Sequence, residues 1–263
     1  MNVGVIGLGI VGTAVYEAMG KNNQVIAHDI KLKTNIIDVL GTDVVFICVP
    51  TPSSESGGCD SSVVEEVIEQ LNLSNYSGVI AIKSTISIGT TEKLIKKYQN
   101  KNICFVPEFL RERCALDDFL YNHDLCVIGT EYNDVFEIVL SCHGNIPKRV
   151  KKMSPSEAEA VKYFNNVYNA ILITFANSFH DICESLDVDY KKVKDCSVLR
   201  EHINDVYLDS NSTLRGFSGP CLPKDIKEIA VKANKLEHIT FFDDIIKQNL
   251  RFKKTILGDM RDE

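Results

Sequence analysis

The stretch VGVIGLGIVGTAVYEAMG, residues 3 to 20, decides the fold of this chain. It begins with β-branched strand residues, passes through Gly7, Gly9 and Gly12, and continues with helical spacing. In a strand, turn and helix of this kind, the glycines allow a tight turn. They also let the backbone approach a pyrophosphate held at the helix N-terminus. The stretch therefore predicts a dinucleotide-binding βαβ unit at the start of the chain.

Residues around this turn indicate which dinucleotide binds. Ile10 and Val11, the first helical residues, would offer backbone amides to the phosphates. Asp29 ends the second strand, where a carboxylate accepts hydrogen bonds from a ribose 2′-hydroxyl and repels a 2′-phosphate. The pattern therefore predicts NAD rather than NADP as the cofactor, although Lys31 and Lys33 weaken that preference slightly.

The composition is globular, with 263 residues, 44% hydrophobic and 25% charged, enough for two ordinary domains. The net charge of −7 argues against broad binding to nucleic acid or to an anionic membrane, because both need a positive surface. No apolar run reaches transmembrane length, and the chain starts inside a strand without a basic leader. These features predict a cytoplasmic protein. The negative net charge still allows an anionic small-molecule substrate, because such a substrate needs only a local basic pocket.

The nine cysteines are well spread and show neither CxxC pairs nor zinc-ligand spacing, so no metal site is predicted. Cys48, Cys104 and Cys126 fall inside predicted buried strands, where a thiol behaves as a small hydrophobe. Only Cys221 has glycine-rich and charged surroundings.

The two halves of the chain differ in their secondary-structure pattern. Residues 1–150 alternate short β-branched runs with helical stretches, which predicts an α/β fold: a Rossmann domain with a doubly wound parallel sheet that binds NAD. The predicted strands are VGVIGL, QVIAHDI, VVFICVP, GVIAIKST, ICFVPEF and LCVIGT. Residues 151–263 carry no strand signal and predict an all-helical central domain that contains Cys221.

One long helix is predicted from about residue 154 to 187, and shorter helices follow near 190–196, 224–235 and 241–260. Apolar residues of the long helix recur at steps of three or four, which predicts a continuous buried stripe. They are Val161, Phe164, Tyr168, Ile171, Phe175, Phe179 and Ile182. The stripe suits either the core of the domain or the interface of a homodimer, and the length of the helix favours the homodimer.

Cys221 lies in GFSGPCLPKD, residues 216 to 225. Pro223 suits the first position of a helix, so Cys221 should lie at or just before a helix N-terminus. A free thiol has a pKa of roughly 8.5, and a helix N-terminus with a nearby ammonium such as Lys224 favours the thiolate. The segment therefore predicts a nucleophilic cysteine.

Six ordered motifs together resemble the UDP-glucose/GDP-mannose dehydrogenase family over nearly the whole chain. They are GLGIVG, VPTP at 49–52, KSTISIGTT at 83–91, PEFLRE at 107–112, EAEAVKYFNN at 157–166 and GFSGPCLPKD. The resemblance implies a homodimeric enzyme of polysaccharide biosynthesis that uses NAD to oxidise the C6 alcohol of a nucleotide sugar twice, giving a carboxylate. UDP-glucose or a relative is the implied substrate.

The resemblance also implies roles for single residues. Cys221 would attack an aldehyde, forming a thiohemiacetal and then a thioester that water hydrolyses. Lys162 and Asn166, four apart on the long helix, would hold the developing oxyanion. Glu112 would be the base for water attack, and Asp225 would assist Lys162 and the water.

Further positions follow from the same resemblance. Thr85 would position water. Glu108 would bind or orient the substrate. The implied substrate-lining residues are Glu108, Phe109, Leu110, Lys162, Asn166, Phe217, Gly219 and Cys221. The implied cofactor-side residues, besides the glycine turn and Asp29, are Pro50, Thr51, Lys83, Thr85, Glu112 and Lys224.

Plainer interpretations of the same residues stay open. Glu112 between two arginines suits a solvated charge cluster, Lys162 suits the surface of an amphipathic helix, and Asp225 suits a first-turn acid facing the helix dipole. Thr85 suits an ordinary strand residue. Cys221 has the weakest structural alternative, because a structural thiol gains nothing from Lys224 and the glycines.

The sequence departs from the family pattern at two places. Ser218 replaces a glycine before the cysteine, adding a side chain where backbone normally approaches substrate. The sequence stops after a stretch that resembles the linker helix of the family, without the second nucleotide-binding-like domain. A piece of a longer protein, a short enzyme and a site completed by a partner chain all stay open.

Two other functions remain compatible with the sequence. A single-step NAD-dependent hydroxyacid dehydrogenase would share the cofactor domain, the helical second half and a helix lysine, and would yield one NADH per substrate. A non-catalytic NAD-binding module would bind NAD without reducing it, although Cys221, Lys162, Glu112 and Asp225 argue against that reading.

Overall fold

A computed structural model of the protein describes residues 1–54 and 57–252. In these residues the chain divides into two compact units, Met1–Pro52 with Cys59–Lys162, and Ser53–Gly58 with Tyr163–Glu263. The sequence pattern predicts a boundary at residue 150. The division lies later because the first turns of the long helix pack with the first unit.

The first unit is built on a seven-stranded sheet with the order β2-β1-β3-β4-β5-β6-β7. The strands are β1 (Asn2–Ile6), β2 (Gln24–His28), β3 (Val44–Ile47), β4 (Val79–Ile82), β5 (Ile103–Phe105), β6 (Cys126–Gly129) and β7 (Val150–Met153). All neighbouring strands run parallel except β5 and β6. The sheet is therefore the mostly parallel, α/β sheet that the strand pattern predicted.

Helices connect the strands and follow them. They are α1 (Ile10–Met19), α2 (Ser62–Leu73), α3 (Thr90–Tyr98), α4 (Ala115–Leu120), α5 (Asn133–His143), α6 (Pro155–Ser185), α7 (Tyr190–Ser197), α8 (Leu222–Ala233) and α9 (Phe241–Phe252). The predicted last helix ran to residue 260, and its part beyond residue 252 lies outside the described residues. Among those residues, no helix is both long enough and apolar enough to cross a bilayer.

The central strands β3 and β4 are buried at every position, which explains their unbroken apolar sequences. Apolar side chains on the two faces of the sheet form two core clusters. Cys104 and Cys126 are buried strand residues, as predicted, whereas Cys48 lies one residue beyond β3 and is partly exposed. The order of the strands reverses direction between β1 and β3, where doubly wound sheets bind their ligands.

Strand β7 was missed by the sequence analysis. Its sequence VKKM alternates only weakly, and its two lysines are exposed because the strand lies at the edge of the sheet. The antiparallel pairing of β5 with β6 was also not predicted. It rests on one residue pair, Phe105 with Gly129, and such a pairing leaves no trace in hydrophobic periodicity.

The predicted buried stripe of α6 is wrong for the chain by itself. Five of its residues are exposed: Phe164, Tyr168, Phe175, Phe179 and Ile182. The face that α6 does bury contains Ala158, Lys162, Asn166, Ala170 and Asn177, which are small or polar. Helical periodicity thus identified an apolar face of α6 correctly, but it did not show whether residues of the same chain bury that face.

The second unit holds two small core clusters. One joins Val167 and Ala170 of α6 to Phe217 and Ile226. The other surrounds Ala176 and Cys183 with Tyr190 and Leu208. The helices predicted near 190–196 and 224–235 are present as α7 and α8, and a short 3₁₀ turn extends α8 to Leu236.

Acid should destabilise the first unit before its carboxylates titrate. His143 is fully buried against Phe46 and Phe119, and burial with the nearby charge of Lys83 lowers its pKa to about 3. Its ordinary pKa applies in the unfolded chain, so the unfolded state binds a proton first. Stability is therefore complete above about pH 6.5 and falls as the pH drops toward the folded pKa, by up to about 1.4 kcal/mol per pH unit.

Urea unfolding between about pH 7.5 and pH 5 checks this expectation. The midpoint should fall with pH in the unmodified protein. His143→Leu should make the decline shallower, because one titrating ring is gone, while the neighbouring His123, whose pKa burial lowers to about 4, keeps its own share. A midpoint that falls as steeply in His143→Leu as in the unmodified protein would show that His143 does not carry the effect.

Candidate functional site

The glycine turn joins β1 to α1 with a geometry that excludes side chains at two positions. Gly7 has φ +90°, and a Cβ there would lie 2.7 Å from the carbonyl oxygen of Cys48. A Cβ on Gly12 would lie 1.8 Å from the carbonyl oxygen of Gly7. At Gly9, by contrast, a Cβ would meet no atom within 4 Å. The turn therefore needs Gly7 and Gly12 for its own shape and presents Gly9 to open space.

Asp29 lies beside this turn, just after β2. Its Oδ2 accepts a hydrogen bond from the Leu8 amide at 2.6 Å, and its Oδ1 accepts one from the Lys31 amide at 2.8 Å. These two backbone donors lower the pKa of Asp29, so the carboxylate is ionised at neutral pH. The carboxylate is fixed in place and retains acceptor capacity for a ribose hydroxyl.

These features fit an NAD molecule. No side chain caps the N-terminus of α1, so its first amides at Ile10 and Val11 remain available to a pyrophosphate. The open space at Gly9 admits the phosphates, and the ionised Asp29 suits an unphosphorylated ribose.

Two glycine substitutions distinguish a position that only faces the ligand from a position that the shape of the turn itself requires. Gly9→Ala should weaken NAD binding by at least about tenfold without changing thermal stability, because its Cβ would enter only the space in front of the turn. Gly12→Ala should lower both affinity and stability, because its Cβ would clash with the Gly7 carbonyl. NADH fluorescence titration and thermal unfolding measure the two quantities. Gly41→Ala is the control, since that position is also open, and a loss of affinity in Gly41→Ala would contradict the interpretation.

A groove of about 690 Å³ lies in front of α1. Leu8, Gly9, Ile10 and Thr13 line one side, and the segment Glu112 to Asp117 lines the other. Glu112 begins a short 3₁₀ helix and is exposed, with no ion pair to any residue in the described ranges. Arg111 instead binds the buried Asp118 through two guanidinium nitrogens. The structure thus places Glu112 beside the glycine turn, on the same groove as Leu8 and Gly9.

Lys162 and Glu108 form a buried ion pair in the first unit. The Lys162 Nζ lies 2.7 Å from Glu108 Oε1 and also 2.7 Å from the Glu108 carbonyl oxygen. Burial alone would raise the pKa of Glu108, but the charge and hydrogen bond of Lys162 outweigh it, and the Leu110 amide donates to the other oxygen. The net effect lowers the pKa of Glu108, so the pair is ionised. Lys162 is therefore a buried cation and not a surface residue of α6.

A second polar cluster lies in the second unit. The Asn166 Nδ2 donates to Asp225 Oδ2 at 2.6 Å, and the Lys224 Nζ lies 3.2 Å from Asp225 Oδ1. That Oδ1 is buried and the lysine contact is ionic, without hydrogen-bond geometry. Asp225 is thus a buried carboxylate held by an amide and a cation, which is more than a solvated first-turn acid.

Cys221 is the N-cap residue of α8, as predicted. It is exposed, and its carbonyl oxygen accepts from the Asp225 amide at 2.9 Å. Pro223 occupies the second helical position and not the first, because α8 begins at Leu222. The helix dipole at this end favours a thiolate.

Among the described residues, no group of three His, Cys, Asp or Glu side chains is arranged to hold a metal ion.

Two family models match this chain. The NAD binding domain of the UDP-glucose/GDP-mannose dehydrogenase family matches residues 22–146, and the central domain of the same family matches residues 156–251. The chain belongs to the UDP-glucose/GDP-mannose dehydrogenase family. The N-terminal part is accordingly its NAD binding domain, in agreement with the fit of the glycine turn and Asp29 to NAD.

Similar proteins carry the names of that family. The UDP-glucose 6-dehydrogenase of Rickettsia bellii is 33% identical over 197 residues, which cover 72% of this chain and 44% of that protein. The UDP-glucose 6-dehydrogenase AglM of Haloferax volcanii is 30% identical over 223 residues, covering 78% of this chain and 51% of that protein. The chain thus spans about half the length of the curated relatives it matches.

A solved UDP-glucose dehydrogenase from Pyrobaculum islandicum superimposes with a TM-score of 0.84 at 26% identity, covering 95% of this chain and 67% of that one. It confirms the Rossmann-type fold with its long helix.

The family motifs assemble within each unit. In the first unit, Pro50 and Thr51 follow β3, Thr85 follows β4, and Glu108, Phe109 and Leu110 follow β5, all at the carboxyl ends of parallel strands. Thr85 lies three residues beyond β4 and is not a strand residue. Lys83 is buried, donates to the Val106 carbonyl oxygen at 3.3 Å and lies over the rings of Phe46 and Phe119.

In the second unit, Asn166 and Lys224 each contact Asp225, while Gly219 is exposed with φ +81°. The predicted substrate-lining Phe217 is different. Its ring is buried in the core with Val167 and Ile226, so this ring does not line an open surface of the second unit.

Glu159 is a structural residue of the family motif EAEAVKYFNN that the sequence analysis did not single out. Its buried carboxylate accepts hydrogen bonds from the amides of Gly89 and Thr91 and from the Thr91 hydroxyl. Helix α3 has no side-chain cap of its own, so Glu159 caps it from α6 and fixes the end of the loop that carries Thr85. No local pattern in the sequence marks Glu159, because the amides that it binds lie 68 to 70 positions away in the chain.

Proposed function

We propose that this chain takes part in the NAD-dependent oxidation of the C6 alcohol of a nucleotide sugar to the carboxylate, with Cys221 as the nucleophile. The observation that carries the proposal is Cys221, exposed at the N-cap of α8 with Lys224 and the buried Asp225 in the first turn. A purely structural cysteine needs none of these features. UDP-glucose or a close relative is the proposed substrate, in line with the names of the curated relatives.

The chemistry requires a nucleophile because a hydride leaves readily from a tetrahedral carbon, and an aldehyde has to be converted into one. Bound NAD accepts the hydride at each of the two oxidations. The alcohol loses a hydride and a proton to become an aldehyde, and the Cys221 sulfur adds to that aldehyde to give a thiohemiacetal. Loss of a second hydride and proton leaves a thioester, and water hydrolyses it to the carboxylate and the free thiol.

The remaining residues are assigned from the motifs and supported by their surroundings. Lys162 is proposed to stabilise the oxyanion, for which its burial in a dry, charged setting is suitable. Asn166 is proposed to donate a hydrogen bond from its side-chain amide to the same oxyanion, since Asn166 lies one turn beyond Lys162 along α6. Glu112 is proposed as the base for thioester hydrolysis, and Thr85 and Asp225 as residues that position the water.

The chain is also proposed to form a homodimer through the exposed apolar stripe of α6, which comprises Phe164, Tyr168, Phe175, Phe179 and Ile182. Phe164 is 77% exposed and Phe175 57% exposed, although large aromatic side chains normally avoid water. The ring centroids of Phe175 and Phe179 lie 5.8 Å apart, so they form one continuous apolar surface. A second copy of the same helix is its proposed occupant.

Static light scattering checks the dimer. The unmodified chain should have twice the monomer mass, and Phe175→Asp with Phe179→Asp should give the monomer mass, because two buried carboxylates would oppose association. Leu199→Asp, at another exposed apolar position, should remain dimeric. A monomeric unmodified chain at high concentration would exclude the proposal.

NADH formation across UDP-glucose, GDP-mannose and UDP-N-acetyl sugars, with its stoichiometry counted, tests the function. Two NADH per sugar support the proposal. One NADH per substrate molecule, from a sugar or a hydroxyacid, would indicate a single-step dehydrogenase. NAD binding without any reduction would indicate a non-catalytic module.

A further inference from the structure

The loop before Cys221 is held by two buried asparagines from two helices. The Gly216 amide donates to Asn177 Oδ1 of α6 at 3.1 Å. The next amide, of Phe217, donates to Asn249 Oδ1 of α9 at 2.7 Å, and Asn249 Nδ2 donates back to the Phe217 carbonyl at 2.9 Å. Asn177 is 1% exposed and Asn249 is 4% exposed, so water does not compete for these bonds.

The orientation of each amide is determined. Asn177 Nδ2 donates to the Ile173 carbonyl oxygen at 2.8 Å, so its Oδ1 is the acceptor that binds the Gly216 amide and also the Ser210 hydroxyl. Asn249 uses both its donor and its acceptor on the single residue Phe217, as two paired strands would. Among the side chains near this size, only an amide offers both groups at once. Aspartate would place an oxygen against the Phe217 carbonyl, and alanine would leave two buried backbone groups unsatisfied.

Three groups of Phe217 are thereby held in place: its N–H, its C=O and its ring. Its N–H and C=O are held by Asn249, and its ring packs against Val167 and Ile226. Ile226 itself belongs to α8, the helix that Cys221 caps. Only Ser218, Gly219 and Pro220 separate the fixed residue from Cys221, so little freedom remains for the thiol.

We propose that Asn249, assisted by Asn177, is a positioning residue that holds Cys221 at the N-terminus of α8 by fixing the backbone of Gly216 and Phe217. The inference rests on the proposed role of Cys221 as nucleophile. Misplacing a reacting group by about 1 Å can lower a rate about 100-fold, so an effect of that order is expected from residues that do not touch substrate.

The first test needs neither substrate nor NAD. Alkylation of Cys221 by iodoacetamide at neutral pH is followed by mass spectrometry of the Cys221 peptide. Asn249→Asp should slow it at least about fivefold, because a displaced thiol loses the helix N-terminus that favours its thiolate. Asn177→Ala should slow it less, since it leaves both hydrogen bonds between Asn249 and Phe217 in place. A rate in Asn249→Asp that equals or exceeds that of the unmodified protein overturns the proposal.

Recovery of the alkylation rate at acidic pH distinguishes a loss of positioning from a general loss of structure. At acidic pH the introduced carboxyl group becomes protonated and regains a donor for the Phe217 carbonyl. The alkylation rate of Asn249→Asp, divided by that of the unmodified protein at the same pH, should therefore rise as the pH falls, whereas Asn249→Ala should stay slow. A ratio independent of pH overturns the proposal. Should Asn249→Asp not fold, Asn177→Ala carries the test through the neutral-pH rate.

Thr174→Val is the matched control. It removes another buried hydrogen bond of α6, from the Thr174 hydroxyl to the Ala170 carbonyl, without touching the loop. It should alkylate at the unmodified rate, and an equal slowing in this variant overturns the proposal. In turnover, Asn249→Asp should lower kcat about 100-fold and leave the KM for NAD unchanged. If no nucleotide sugar is oxidised by the unmodified chain, the proposed function fails while the alkylation series still decides the positioning.

Discussion

Cys221→Ser should lower steady-state NADH formation from a nucleotide sugar by at least about 1000-fold. A hydroxyl is a much weaker acid than a thiol, so a serine at this helix N-terminus forms the attacking anion far less readily than a cysteine does. NAD binding should be unchanged, because the glycine turn and Asp29 belong to the first unit. The expected result is a loss of NADH formation together with an unchanged affinity for NADH in a fluorescence titration.

Cys196→Ser provides the control for this experiment. Cys196 is the other exposed cysteine among the nine, and it lies in α7 away from any family motif. It should keep full turnover. Normal turnover by Cys221→Ser, or an equal loss in Cys196→Ser, would exclude a special role for the Cys221 sulfur.

Lys162→Met should destabilise the protein by about 3–5 kcal/mol and abolish turnover. The substitution keeps the length and apolar stem of the side chain but removes the cation that neutralises the buried Glu108. An uncompensated carboxylate would then remain in the interior, or would have to take up a proton. Urea unfolding measures the loss, with the unmodified protein as reference.

A double variant separates stability from chemistry. Lys162→Met with Glu108→Gln removes both charges, so most of the lost stability should return. Turnover should not return, because the proposed oxyanion partner is still missing. Recovery of turnover in the double variant would show that Lys162 acts only as the structural counter-ion of Glu108.

The first unit was predictable from sequence wherever its signal is local. The strands β1 and β3 to β6 are short apolar runs because a mostly parallel sheet buries both faces, and the glycine turn is fixed by backbone sterics within a few residues. Strand β7 lies at the edge, where exposed lysines replace the apolar pattern, so the same reasoning missed it.

The long helix shows a second limit. Its 3.6-residue periodicity identified the apolar face from Val161 to Ile182, but periodicity does not tell whether the same chain covers that face. Here the chain buries the other face, which contains Lys162 and Asn166 and therefore looks polar in the sequence.

The site was predictable as a set of residues but not as a set of contacts. Cys221 was located correctly because a helix N-terminus is a local feature. The bond between Lys162 and Glu108 joins residues 54 positions apart, and the bonds between Asn249 and Phe217 join residues 32 apart. Only the folded chain brings such partners together, and Asn249 carries no motif that would have drawn notice.

Peptide mapping of rapidly quenched turnover mixtures tests the central claim most directly. With a nucleotide sugar and NAD, the peptide that contains Cys221 should carry the mass of a uronyl thioester, and this adduct should disappear as the second NADH and the carboxylate product accumulate. Two NADH per sugar with Cys221 unmodified at every time point, while the thioester of a known acyl-enzyme survives the same quench, would contradict catalysis through this thiol.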